Sequence, residues 1–181
     1  MNILPIPAAF SAADCARIVA AAAEAESADA RLVRGDRAHN IRRADLVWLD
    51  DLDGMDWVTD RLIDLVRKAN HQFHFDLDAL RESPQVARYD AAREGHFDWH
   101  SDIGEGAVAA RRKLTFVVQL SDPEAYEGGA LELRPSLATT TADRAQGSAV
   151  AFPSFVLHRV TPVTKGTRHS LTIWAHGPAF R

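Results

Sequence analysis

His100 and Asp102 stand two residues apart at the end of QVARYDAAREGHFDWHSD (Gln85–Asp102), just ahead of the apolar run LTFVVQL. In an extended chain, positions i and i+2 point the same way, so both side chains can reach one ion. One imidazole nitrogen and one carboxylate oxygen make two thirds of a facial metal triad that leaves its other positions open. The missing nitrogen must come from elsewhere, and His158, at the head of HRVTPVTKGTRHS, is the candidate.

Taken alone the H-x-D spacing says little. With 8 His and 17 Asp in 181 residues, chance supplies about 0.75 such pairs. There are three: His74/Asp76, His96/Asp98 and His100/Asp102. His74-Phe75-Asp76 alternates with Phe73, Phe75 and Leu77 after a helical pattern, and reads as the polar face of an early strand. His96 and His100 are harder to separate by pattern. After His100-Ser101-Asp102 comes a polar, glycine-containing loop (IGEGAVAARR) and then a strand, and metal sites favour strand ends that border loops.

The elements that must position these residues follow from periodicity. The lead NILPIPAAF carries two prolines and is not helical. Ser11 caps a first helix, with Asp14 completing an S-x-x-D box, and alanines carry it to about Glu26. LVRG and IRRADLVWL are short β-type runs around a polar turn at 35–40. A second helix runs from Asp53 to Asn70. Its Val58, Leu62, Leu65, Val66, Ala69 and Phe73 share one face, a stripe for core packing. From Gln85 the pattern changes to strands near 86–90, 97–101, 113–120, 130–134, 148–152, 157–161 and 168–175. Glu127-Gly128-Gly129 reads as a hairpin turn, and prolines at 123, 135, 153 and 162 mark element ends. The fold class expected is mainly β (α+β), a β-jelly roll with the N-terminal helices covering one sheet face. The chain reads as a single domain, 1–181, with helical support and first strands in 1–84 and the core in 85–181.

On the last strand Arg168, Ser170, Thr172 and Trp174 share one face, while Leu171 and Ile173 take the other and pack against the helices. A cation, two hydroxyls and an indole make an odd core face but suit an anion-binding pocket. Pro162 and Gly166 reverse the chain between His158 and Arg168, so two adjacent antiparallel strands would bring both to one interior. His169 and His176 are expected to face solvent or serve structure, and Cys15 to be a small buried apolar residue.

Taken together, these motifs resemble the Fe(II)- and 2-oxoglutarate-dependent dioxygenases, in particular their prolyl 4-hydroxylase-like branch. The resemblance runs from about Gln85 to Trp174. It rests on Y-x5-G-x-F-x-x-H-x-D, then a strand, EGG-x-L-E-L, G-x-x-x-x-F-P-S, and H-x-V-x-P-V-x-x-G-x-R-x-S-L-T-x-W. It implies a double-stranded β-helix core, and it selects His100 over the competing His96. By the same resemblance His100, Asp102 and His158 match the iron ligands and Arg168 the residue that pairs with the distal carboxylate of 2-oxoglutarate. Thr172 looks like its hydroxyl partner. Tyr89 matches a tyrosine that hydrogen-bonds the cosubstrate, Leu131 an apolar wall, and Trp174 a tryptophan closing the pocket. Phe97 and Gln119 stand where some relatives carry tyrosines. Gln119 can still donate a hydrogen bond and Phe97 cannot. The cofactors implied are Fe(II), 2-oxoglutarate and O2, with ascorbate a candidate reductant.

The residue types suit that chemistry. Two neutral nitrogens and a carboxylate hold Fe(II) with net charge +1 and leave three positions open, two for a chelating 2-oxo acid and one for oxygen. Oxidative decarboxylation then yields succinate and CO2 and an oxidant for a nearby C–H. Arginine pairs bidentately with a carboxylate and keeps its charge inside a barrel. The alternative from another class is a non-catalytic, cupin-like metal- or ligand-binding module, against which the complete ligand set argues. A halogenase would need a small residue at Asp102, and a nucleic-acid demethylase a second arginine where Trp174 stands.

Composition narrows the partners. Net charge is −4, and the longest basic run is Arg111-Arg112-Lys113, so no nucleic-acid partner is expected. There is no apolar stretch near the roughly 20 residues of a membrane span and no signal-peptide pattern, and one cysteine allows no intrachain disulfide. The reading is a cytoplasmic enzyme whose substrate is a small molecule, an amino acid, a (peptidyl) proline or a short peptide. Arg111 and Arg112 either meet a substrate carboxylate or are solvated charges, and loop 103–112 is expected to be a lid. Nothing in the pattern sets the oligomeric state.

Overall fold

A computed structural model describes residues 3–29 and 42–180. The run LVRG and the turn at 35–40 lie outside those residues. The helix cap forms as its residue types require. Ser11 N–H donates to Asp14 Oδ2 and Asp14 N–H to Ser11 Oγ, both at 3.1 Å, opening α1 (Ala12–Asp29). Asp14 also takes a hydrogen bond from Arg61 of α2 (Asp56–Phe73) at 2.7 Å, so the cap is also a tie between helices.

The strands, in chain order, are β1 (Leu4–Ile6), β2 (Arg42–Arg43), β3 (Asp45–Trp48), β4 (Gln85–Asp90), β5 (His96–His100), β6 (Arg112–Gln119), β7 (Tyr126–Gly128), β8 (Leu131–Arg134), β9 (Thr140–Thr141), β10 (Ala149–Pro153), β11 (Leu157–Val160) and β12 (Val163–His176). They form two sheets. The larger runs β1-β10-β6-β12-β4-β3 with β7 on β12, and the smaller runs β2-β5-β11-β8-β9. All the named strand pairings are antiparallel, and the two sheets with helices outside one of them bear out the expected jelly roll.

Strict alternation in the large sheet divides two cores. Leu114, Phe116 and Val118 of β6 and Leu171, Ile173 and Ala175 of β12 pack with Val58, Leu62 and Val66 of α2 and with Cys15 and Ile18 of α1. The opposite face, with Tyr89 and Val117, packs against Leu131, Leu133 and Val160 of the small sheet. Cys15 is fully buried, and burial pushes its thiol up to about 11, so it behaves as an apolar residue.

Three expectations are corrected. His74–Asp76 is not a strand: His74 ends α2 in the left-handed conformation (φ 55°) and its N–H reaches Asn70 C=O at 2.8 Å. The Asn70 side chain then brackets Phe75, taking its N–H and donating to its C=O, so that backbone has no need of a strand partner. Glu127-Gly128-Gly129 does not join a hairpin. β7 pairs with β12 in the large sheet, and the two glycines (φ 74° and 59°) carry the chain across to β8 in the small one. A Cβ on Gly128 would fall 2.1 Å from Pro162 O, so the close approach demands glycine. Finally, β11 and β12 are not neighbours in one sheet. They belong to facing sheets, which still brings His158 and Arg168 to a common interior.

His176 is fully buried and His169 partly so, both in structural roles. His169 N–H donates to Ser121 Oγ at 2.7 Å. Burial, with help from the Arg88 and Arg168 cations, pushes its imidazole down to about 4.

Two outcomes follow from this packing. Leu62→Ala, at a site with no exposure, lowers the unfolding free energy by about 2–5 kcal/mol in urea titrations, and a loss under about 1 kcal/mol contradicts the core assignment. For His169 the folded pKa lies below the unfolded value of roughly 6.5, so the folded chain binds fewer protons between pH 6.5 and 4 and loses stability as pH falls through that window. His169→Asn therefore makes the urea midpoint fall less between pH 6.5 and pH 4.5 than in the wild type; parallel falls reject this account.

Candidate metal centre and cosubstrate pocket

The two histidines face each other because their strands do. His100 on β5 is the register partner of His158 on β11, with ring centroids 4.1 Å apart. In each ring Nδ1 meets the carbonyl two residues earlier: His100 at Asp98 O (2.7 Å) and His158 at Val156 O (2.9 Å). A carbonyl can only accept, so Nδ1 carries the proton and Nε2 keeps its lone pair for a metal. Both Nε2 atoms point at Asp102: His100 lies 3.7 Å from Oδ1 and His158 3.5 Å from Oδ2. One ligand atom from each of the three lies within 4.8 Å of the others, a spacing that can hold one ion. Burial, then the unfavourable proximity of a second imidazole at His158, pushes His100 down to about 4, which favours the neutral ring that can ligate.

Asp102 is anchored by its surroundings. Its Oδ2 accepts from Thr115 Oγ1 at 2.7 Å, its N–H donates to Ser154 O at 2.9 Å, and its C=O accepts from Arg112 at 3.1 Å. The other two H-x-D pairs lie outside the cluster. His74 caps a helix, and Asp98 beside His96 is exposed.

The cavity beside the triad is lined by Arg168, Thr172, Trp174, Ser170, Tyr89 and Leu131, among others. Arg168 is 1% exposed and its guanidinium lies 5.3 Å from the Tyr89 ring centroid. Its Nη2 donates to Gln119 Oε1 at 2.8 Å, while Nε and Nη1 are buried with no partner. Gln119 thus acts as an acceptor that steers Arg168 rather than as a donor on the cavity wall. Phe97 stacks on His100 at 3.4 Å with its plane tilted 13°, so this position gives the cavity an apolar surface.

Several residues escaped sequence reasoning. Thr115 shares a face with Val117 and Gln119, and a lone hydroxyl in an apolar strand was a signal available in the pattern. Arg42, Gln85, Val117 and Val160 also line the cavity, and Arg42 has its guanidinium over the Phe97 ring at 4.7 Å. Nothing local singled these out. Arg111 and Arg112 are both engaged in ion pairs within the chain, Arg111 at a partly exposed site and Arg112 at a largely buried one. Arg112 pairs with Glu82 and lies over the Trp174 ring at 4.0 Å, and Arg111 pairs with Asp78 at 2.7 Å. Burial opposes the Glu82 charge, but Arg112 and His176 outweigh it and hold the carboxyl below its usual range.

These residues fit an Fe(II) ion and a 2-oxo diacid. The donor set is two imidazole nitrogens and one carboxylate, suited to a facial site. Across the cavity, a permanently charged guanidinium with two unpartnered nitrogens lacks only an anion.

The comparisons agree with this chemistry. Residues 84–176 match the model of the 2OG-Fe(II) oxygenase superfamily. A PKHD-type hydroxylase of Pseudomonas putida is 30% identical over 182 residues, covering 95% of this chain and 77% of that protein. The chain spans only 32% of the length of a PKHD-type hydroxylase of Hyphomonas neptunium that it matches, and 78% of one of Xanthomonas axonopodis. Among solved structures, a Pseudomonas putida prolyl-4-hydroxylase superposes with a TM-score of 0.76 at 21% identity, covering 98% of this chain and 93% of that one. A prolyl hydroxylase of Trichoplax adhaerens, in complex with a hypoxia inducible factor peptide fragment, gives 0.78 at 16% identity over 96% and 83%. No described helix is long and apolar enough to cross a membrane. With more than half its length matched and a donor set of the right chemistry, the chain belongs to the 2OG-Fe(II) oxygenase superfamily.

Proposed function

We propose that this protein is a hydroxylase in which His100, Asp102 and His158 hold Fe(II) and Arg168 holds the distal carboxylate of 2-oxoglutarate. The observation that carries the reading is the buried guanidinium with two unpartnered nitrogens in the same cavity as a His-Asp-His cluster. When bound, iron with 2-oxoglutarate and O2 supplies the oxidising power that replaces a C–H by C–OH, with release of succinate and CO2.

The chain's own residues do the rest. The carbonyls of Asp98 and Val156 hold the imidazole protons on Nδ1, so both Nε2 atoms serve as ligands without first losing a proton. Gln119 aims the Arg168 fork, whose planar donors match a carboxylate in two parallel hydrogen bonds. Thr172, on the same face of β12, adds a hydroxyl, Tyr89 flanks the guanidinium, and Trp174 closes the end of the cavity. Leu131, Val117 and Phe97 make the wall apolar and exclude water from the reacting centre. The substrate in this reading presents an unactivated C–H of a small molecule, an amino acid or a (peptidyl) proline. That a neighbour in fold holds a peptide supports including peptides.

The test is anaerobic titration of 2-oxoglutarate into Fe(II)-loaded protein, read by the weak visible charge-transfer band of the chelate. Wild type and His96→Ala develop the band, and His158→Ala does not. Arg168→Met weakens 2-oxoglutarate by roughly two orders of magnitude, since truncating one member of a buried charge pair costs about 2–5 kcal/mol. Metal binding without a band in the wild type, or unchanged affinity in Arg168→Met, refutes the assignment.

A further inference from the structure

Asp102 is held by two buried hydroxyls. Thr115 on β6 and Ser154 in the turn after β10 have no exposure. Thr115 Oγ1 lies 2.7 Å from Asp102 Oδ2 and 3.0 Å from Ser154 Oγ. A carboxylate has no proton to give, so the single Thr115 hydroxyl proton goes to Oδ2 and the Ser154 hydroxyl donates to Thr115. The order is therefore Ser154 to Thr115 to Asp102, each donor polarised by the next. Ser154 also holds the main chain at this point. Its C=O accepts the N–H of Asp102 at 2.9 Å and of Ile103 at 3.3 Å, while its own N–H donates to Lys113 O at 3.0 Å.

We infer that Thr115 and Ser154 are positioning residues that engage Asp102 Oδ2 and leave Oδ1 as the single oxygen offered to the metal. The inference rests on reading the triad as an iron site. A carboxylate can bind a cation through one oxygen or two, and using both would take a coordination position that the cosubstrate or oxygen needs. The charge-assisted bond to Oδ2 opposes that second contact. Anchoring one residue to both the backbone and, through Thr115, the carboxylate of Asp102 leaves the group little freedom to rotate.

Cobalt(II) titration of metal-free protein separates this role from a merely structural one, because its visible absorption reports coordination number as well as affinity. Thr115→Val keeps the shape and removes the hydroxyl. It is expected to weaken cobalt binding about 10- to 100-fold and to change the band shape, while Thr115→Ser restores both. Ser154→Ala, which leaves Thr115 bonded to Oδ2, gives a smaller change in the same direction, and it decides the matter should Thr115→Val fail to fold. Affinity within about twofold of wild type and an unaltered spectrum, in a variant with a wild-type circular dichroism melt, overturn the inference. A wild type that takes up no cobalt overturns the iron-site reading beneath it.

Discussion

The rest of the site depends on the placement of one permanent charge between two sheets. A guanidinium cannot shed its proton, so burying it commits the fold to supplying partners or leaving room for one. Arg168 sits on β12, in the middle of the large sheet, with β6 on one side and β4 on the other. Its register partner Tyr89 turns an aromatic face to it and Gln119 satisfies one nitrogen. Even the crossing from β7 to β8 makes way for it: a Cβ on Gly129 would lie 2.9 Å from Arg168 Cδ. The two nitrogens left unpartnered belong to a side chain that lines the cavity, and an anion bound there would meet that deficit.

The two sheets divide the chemistry. The small sheet supplies two metal-facing nitrogens from directly opposed residues, His100 and His158, each with its ring held by a carbonyl two residues back. The large sheet supplies the Arg168 guanidinium and the Trp174 indole, both lining the cavity from one face of β12. Asp102 bridges the two, leaving β5 of the small sheet while its carboxylate is held by Thr115 of the large one. A shift of either sheet would therefore move the three donor groups relative to one another. Outside this centre, the Arg112–Glu82–His176 network ties the Asp102 carbonyl to the start of β4 and the end of β12.

Much of this was legible in the chain. Two-residue alternation on the last strand separated Arg168, Ser170, Thr172 and Trp174 from Leu171 and Ile173, and the structure keeps that division. The S-x-x-D cap and the apolar stripe of the second helix were equally plain, because both are written in spacings of three or four residues. The reading failed where a residue has two local options and a distant group chooses. His74-Phe75-Asp76 alternates like a strand, but Asn70 takes the Phe75 backbone hydrogen bonds and makes it a helix end. The paired glycines at 128 and 129 mark a turn without saying whether it stays in one sheet.

What the sequence by itself determined is the set of local preferences: roughly where most strands of the core lie, which side chains share a face, and that a histidine and a carboxylate stand at metal-binding spacing. Only the tertiary structure decided which sheet each strand joins, that His158 meets His100 across it, and that Arg112 answers to Glu82. It also gathers His100 and Asp102, which the resemblance had already selected, into one cluster with His158 and leaves the other two pairs of identical spacing outside it. The physical reason is that dihedral preference and alternation act over a few residues. Strand pairing and the satisfaction of buried polar groups depend instead on partners 30 to 50 positions away, as with Arg112–Glu82 (30) and Arg168–Gln119 (49).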